Sequence, residues 1–192
     1  MTTVKNKTYF GYLLCSSPRT SHHALEHGVI LVVSHTPDIA IGIQINQAIP
    51  NQTLQEISSR IGIDIDGHDP IWFGGPNGQD RVHVIHSKDW SGRSTVSIND
   101  ELSITNDISV LTALSAGEGP SMFRACAGYW SWEGIELAQS LSVRPSKKIM
   151  RNSMSWETVP ATVDLVLSSH GGEHQWQQAI DASAYHQASL WF

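Results

Sequence analysis

Hydrophobic and polar positions along the chain fall into short blocks with two different periods. Residues 9–15 read as a first strand, closed by Ser16-Ser17-Pro18. Residues 28–34 form a continuous apolar, largely β-branched run, the pattern of a strand covered on both faces. After the turn at Thr36-Pro37-Asp38, Ile39, Ile41, Ile43 and Ile45 alternate with Ala40, Gly42, Gln44 and Asn46. That period of two predicts a strand with one buried face, and the short link predicts an antiparallel hairpin. Residues 21–27 leave room for at most two helical turns before Gly28 stops them.

Helical spacing follows, with Leu54, Ile57 and Ile61 behind Thr53 as a cap and Gly62 as a stop. Ile71-Trp72-Phe73 enters Gly74-Gly-Pro-Asn-Gly78, read as a tight strand–strand turn, and residues 81–86 leave it as another strand. Short strands are expected at 94–98 and 102–105. Asn106 or Asp107 caps a helix carrying Ile108, Leu111 and Leu114. Residues 122–129 read as a strand, 134–141 as a helix with Ile135, Leu137 and Leu141 inward, 163–167 as a strand and 172–185 as a helix. Hairpins outnumber βαβ units, which predicts one α+β domain over residues 1–192.

Composition narrows the class. Apolar residues make up 40% of the 192 and charged residues 16%, against about 25% charged in an average soluble protein. With seven Trp, such a chain has core material that disordered sequences lack. Twelve Lys and Arg against 18 Asp and Glu leave a net charge of -6, which opposes non-specific binding to nucleic acid. Two cysteines cannot build a disulfide framework, so a reducing compartment is expected. Residues 1–7 are polar, no apolar stretch approaches the roughly 20 residues of a spanning helix, and no lipidation pattern appears. A cytoplasmic protein without membrane contact is the expectation.

Several motifs suggest chemistry and then fail on context. His23-Ala-Leu-Glu26-His27 spells the H-x-x-E-H string of inverted zincins, which needs a long helix and a distant third ligand. Pro18 and Gly28 leave no room for that helix, so a short surface helix is the better account. His83 and His86 stand three apart on one strand, where alternation sends them to opposite faces. His170 and His174 enclose Gly171-Gly172, which should break a helix between them. The acidic stretch 64–69 lacks the glycine and glutamate positions of an EF-hand. The glycine-rich stretch 74–78 lacks the Lys-Ser/Thr of a P-loop. Cys15 and Cys126 lie in apolar strands, where a thiol is ordinarily packing material. No catalytic group, metal or cofactor is assigned.

Taken in order, the segments resemble the YqgE/AlgH family of small bacterial proteins. Gly11-Tyr-Leu-Leu-Cys-Ser-Ser-Pro18 is similar to its G-x-L-L-I-A-x-P start, and residues 28–35 to its S-V-I-x-x-x-E-H stretch. Ile41-Gly-Ile-Gln-Ile-Asn46 is similar to G-L-V-x-N-R-P, and Trp72-Phe-Gly-Gly-Pro76 with Val84-Ile-His86-Ser87 to G-G-P-V with a downstream L-H-S. Asn106-Asp-Ile108 resembles S-x-D-I-L, and Gly128-Tyr-Trp-Ser-Trp132 resembles G-Y-A-G-W. Trp156, Pro160-Ala161, residues 165–167 and Trp176 follow the order of its tail, so the likeness spans residues 9–184. The chain departs at Gln47-Ala48, at Ser34, in Glu136-Leu-Ala-Gln-Ser140 and at 143–151, which looks like an insertion.

The resemblance implies a strongly curved, barrel-like, mostly antiparallel or mixed sheet flanked by short helices. It implies no established activity, although some members are described as transcriptional regulators. Two functions are therefore set side by side. The first is a non-enzymatic binding or regulatory protein for an unidentified protein or small molecule. Its surface would use His35, Asn46, Gly74, Gly75, Pro76, His86, Gly128 and Trp132, since glycines permit close approach and Asn and His exchange hydrogen bonds. DNA contact would need a basic patch such as Arg144, Lys147, Lys148 and Arg151. The second is a hydrolase or metal-dependent enzyme using His35 or His86, which requires partners converging in one cleft.

Overall fold

A computed structural model describes residues 8–17, 25–142, 155–168 and 170–190. Its strands are β1 (Tyr12–Ser16), β2 (Val29–His35), β3 (Ala40–Gln44), β4 (Ala48–Thr53) and β5 (Pro70–Phe73), then β6 (Asn77–Ser87), β7 (Val96–Ser97), β8 (Leu102–Thr105), β9 (Phe123–Trp132) and β10 (Trp156–Pro160). They join in the order β10-β1-β2-β3-β9-β6-β8-β7, with β4 paired to β5 and β5 to β9. Every pairing is antiparallel except β5 with β9. The sheet curls into a half-barrel, and short helices complete a single α+β domain.

Strand β9 is the hub. Its first half lies between β5, through Trp72↔Cys126, and β6, through Ile85↔Arg124, and its second half takes β3 on the β5 side, through Gly42↔Trp130. The bend between the halves is at Gly128, whose φ of 78° is a left-handed conformation that side chains resist. Because β5 and β6 flank opposite sides of β9, residues 74–78 do not form the expected hairpin turn. They cross over the β9 backbone instead. A Cβ on Gly74 would run into Gly128 O, and one on Gly128 would run into Gly75 O. Gly74 N–H donates to Ala127 O (2.7 Å), which fixes the crossing.

One side of the sheet encloses Leu13, Leu31, Ile43, Ile85, Leu102 and Cys126, joined by Trp176 and Ala179 of α4 (Gly172–Ser189). On the other side, Leu54 of α1 (Leu54–Ser59) and Val110 of α2 (Ser109–Ser115) cover Val84 and Ala125. Leu137 of α3 (Gly134–Ser142) covers Ile30, Val32 and Ala40. Helix α1 starts where expected, with Thr53 and Glu56 forming a reciprocal capping box. Asp107 Oδ1 accepts the Ser109 N–H (2.9 Å) ahead of α2.

Four expectations change. Residues 164–168 are a π-helical turn rather than a strand, and the Gln175 side chain donates to the carbonyl of Leu165 within it (2.7 Å). Strand β3 is buried on both faces rather than one, because α3 and Trp132 cover its Ala40 and Gly42 side. Ile135, expected inward on α3, is more than half exposed, as are Ile61 and Ile108. Strands β4 and β10 carry too little apolar patterning to be seen in the sequence. The apparent insertion at 143–151 and its basic residues lie outside the described residues, as does His23. The described end of that zinc-like string, at His27, has a φ of 53° and is not helical.

Candidate functional site

The side chains chosen from the sequence fall into separate settings. His35 ends β2, where Tyr9 N–H donates to Nδ1 (2.9 Å) and Nε2 donates to Gly134 O (3.1 Å). These partners commit both ring nitrogens and pin the start of α3 to β2. Trp132 shares a cross-strand row with His35 through Ala40 and stacks on Trp130 at 6.3 Å. Asn46 is buried, with Oδ1 accepting from Val29 N (3.0 Å) and Nδ2 donating to His27 O (2.7 Å) and Gly172 O (3.0 Å). Gly74, Gly75 and Gly128 meet at the crossing, and Pro76 follows it on the surface.

His86 has no exposed surface, and its Nδ1 donates to the carbonyl of Ser87 (2.8 Å). Its ring packs edge-on against Trp90, and burial lowers its pKa below the ordinary imidazole value. His83 points to the opposite face, as strand alternation requires. No group of three or more metal-ligating side chains comes together among the described residues.

Two clefts on the described surface stand out. The smaller, about 150 Å³, lies between His35, the Thr36-Pro37 turn and the start of α3. None of the eight chosen residues lines the larger, which is about 300 Å³. Val33 of β2 and Ile104 of β8 both face this larger cleft although β3, β9 and β6 lie between them in the sheet, so it is inside the curl. Its wall is apolar, from Val33, Ile41, Ile43, Val96 and Ile104. Its polar residues are Ser34, Arg81, His83, Ser94, Thr105, Asn106 and Tyr129. Burial lowers the His83 pKa, and the neighbouring Arg81 adds to that; the His83 Nε2 has no hydrogen-bond partner. Apolar walls with a few converging polar groups in the mouth of a barrel are the usual form of a small-molecule site.

The AlgH-like family model matches residues 13–186 of the chain. The chain belongs to the AlgH-like family. A relative from Sphingopyxis alaskensis, described as a UPF0301 protein, is 30% identical, the match covering 90% of this chain and 88% of the relative. A UPF0301 protein of Methylococcus capsulatus is 29% identical, covering 88% of each. The solution structure of the AlgH protein from Pseudomonas aeruginosa superposes with a TM-score of 0.70 at 25% identity, over 94% of this chain and 92% of that one. A crystal structure from Corynebacterium diphtheriae shares the fold, with a TM-score of 0.66 at 18% identity, over 88% and 83%.

Two parts of this AlgH-like chain escaped the sequence reading. One is the polar lining of the large cleft, whose members come from β2, β6, β8, β9 and the connections around them. The other is Arg124, a buried cation inside an apolar strand. It packs over Trp72 and donates to Ile45 O and to Gln175 Oε1 (2.8 Å). Burial brings its pKa down to about 10. A lone arginine in the run 122–129 was the available signal, since such a residue is almost never fully buried without partners.

Proposed function

We propose that this AlgH-like chain is a binding protein that performs no covalent chemistry and holds a small molecule in the larger cleft. One observation carries the reading: an apolar cavity of about 300 Å³ inside the curl, lined as well by polar residues of β2, β6, β8 and β9. The enzymatic alternative on His35 or His86 draws no support from their surroundings. His35 spends both nitrogens on backbone groups, and His86 is closed off from solvent. A bacterial cytoplasmic setting fits the acidic composition and the paucity of cysteine. No helix among the described residues is long and apolar enough to cross a membrane. A regulatory role follows if occupancy of the cleft alters what the surface presents.

A fragment screen by two-dimensional NMR tests the reading. Hits are expected to move the amide signals of Val33, Ile43, His83 and Tyr129 together. Hits that cluster elsewhere, or no response at millimolar concentration, would overturn it.

A further inference from the structure

Resting on that reading, we propose that the larger cleft selects a small amphipathic anion: a monocarboxylate with a short apolar tail. The cleft has no acidic side chain in its lining, although the chain as a whole carries 18 acidic and 12 basic residues. Arg81 and His83 stand two apart on β6 and therefore share the face that looks into it. Arg81 is exposed and makes no ion pair or hydrogen bond with any described residue. A guanidinium in this position can bind a carboxylate through two parallel N–H donors.

The other polar groups favour an acceptor-rich guest. Neutral His83 carries one ring N–H donor, and its buried Nε2 has no hydrogen-bond partner. The Asn106 amide and the Tyr129 hydroxyl add donors at the rim. Val33, Ile41, Ile43, Val96 and Ile104 offer an alkyl chain or a ring its contact surface. Val96 is 53% exposed on a two-residue edge strand, so covering it removes apolar surface from water. The volume admits roughly ten non-hydrogen atoms, at the ~30 Å³ that one water occupies in the liquid.

The experiment compares hexanoate, 1-hexanol and hexylamine by NMR titration of the full chain, following the cleft amides. Hexanoate is expected to bind about tenfold more tightly than hexanol, the size of effect that charge-assisted hydrogen bonds give. Hexylamine should bind most weakly. Arg81→Gln, a change on an exposed side chain, should erase the preference for hexanoate by weakening hexanoate binding far more than hexanol binding. Equal binding of hexanoate and hexanol, or a preference that survives Arg81→Gln, overturns the anion assignment while the cleft remains a binding site. Absence of cleft shifts with all three probes overturns this assignment, and a silent fragment screen beside it removes the binding reading too.

Discussion

The Arg124 guanidinium lies 4.0 Å from the centroid of the Trp72 ring, inside the sheet rather than on its surface. It ties β9 to the end of β3 through Ile45 O and to α4 through Gln175. Arg124→Ala leaves these acceptors unmet in a dry interior and is expected to cost about 2–4 kcal/mol. Arg124→Lys should recover only part of that, because a single ammonium cannot reproduce the planar fork. Urea unfolding midpoints check both.

The crossing at β9 separates two effects of a methyl group on glycine. Gly117 (φ 71°) and Gly128 (φ 78°) are both left-handed, but a Cβ at Gly117 meets nothing within 4 Å. Gly117→Ala should therefore cost the conformational ~1–2 kcal/mol alone. Gly128→Ala carries that cost and a collision with the connection after β5, adding about 1–3 kcal/mol. The difference between their unfolding free energies measures the tightness of the crossing, and equal losses would deny it.

Asn46 has its amide nitrogen between two carbonyl oxygens, those of His27 and Gly172. Asn46→Asp puts an oxygen where both partners are acceptors and buries a negative charge. Its loss of stability at pH 7 should exceed that of Asn46→Ala. The buried carboxyl would have a raised pKa, so the variant should regain stability as pH falls through that value. Thermal midpoints across pH 4–8 give the answer.

Burial lowers the pKa of His86 and His83 below the 6.5 of an unfolded chain. Between the two values the unfolded state binds more protons, so stability falls as pH drops below about 6.5. Replacing His86 with Leu should flatten that decline. A slope of the urea midpoint between pH 7.5 and 5.5 that is unchanged by the substitution would show that His86 takes no part.

Cys15 and Cys126 are buried, and burial pushes each thiol up to about 12. Neither should react with a thiol reagent in the native protein at pH 8. Labelling should follow the rate of unfolding, and fast labelling of folded protein would contradict their placement.

What the sequence disclosed was mostly local. The β2–β3 hairpin, the Thr53 cap and the glycine break before α4 each rest on a few adjacent residues, and each is where the spacing put it. Strand partnership was hidden, because Trp72↔Cys126 and Gly42↔Trp130 join distant segments that no periodicity connects. The π-helical turn was hidden for the opposite reason: residues 163–167 have strong strand propensity, which tertiary context overrides where Val166 packs into the core. The large cleft combines positions that look ordinary one by one. Arg81 reads as a solvated charge until the curl of the sheet brings Val33 and Ile104 to face it.

The hub position of β9 also governs the order of assembly during synthesis. A nascent chain leaving the ribosome amino end first can close the β2–β3 hairpin early, yet β3, β5 and β6 have no common neighbour until residues 123–132 emerge. The outer edge of β1 waits longer still, for β10. Such long-range closure is slow, and until it happens the unpaired edges invite neighbouring chains.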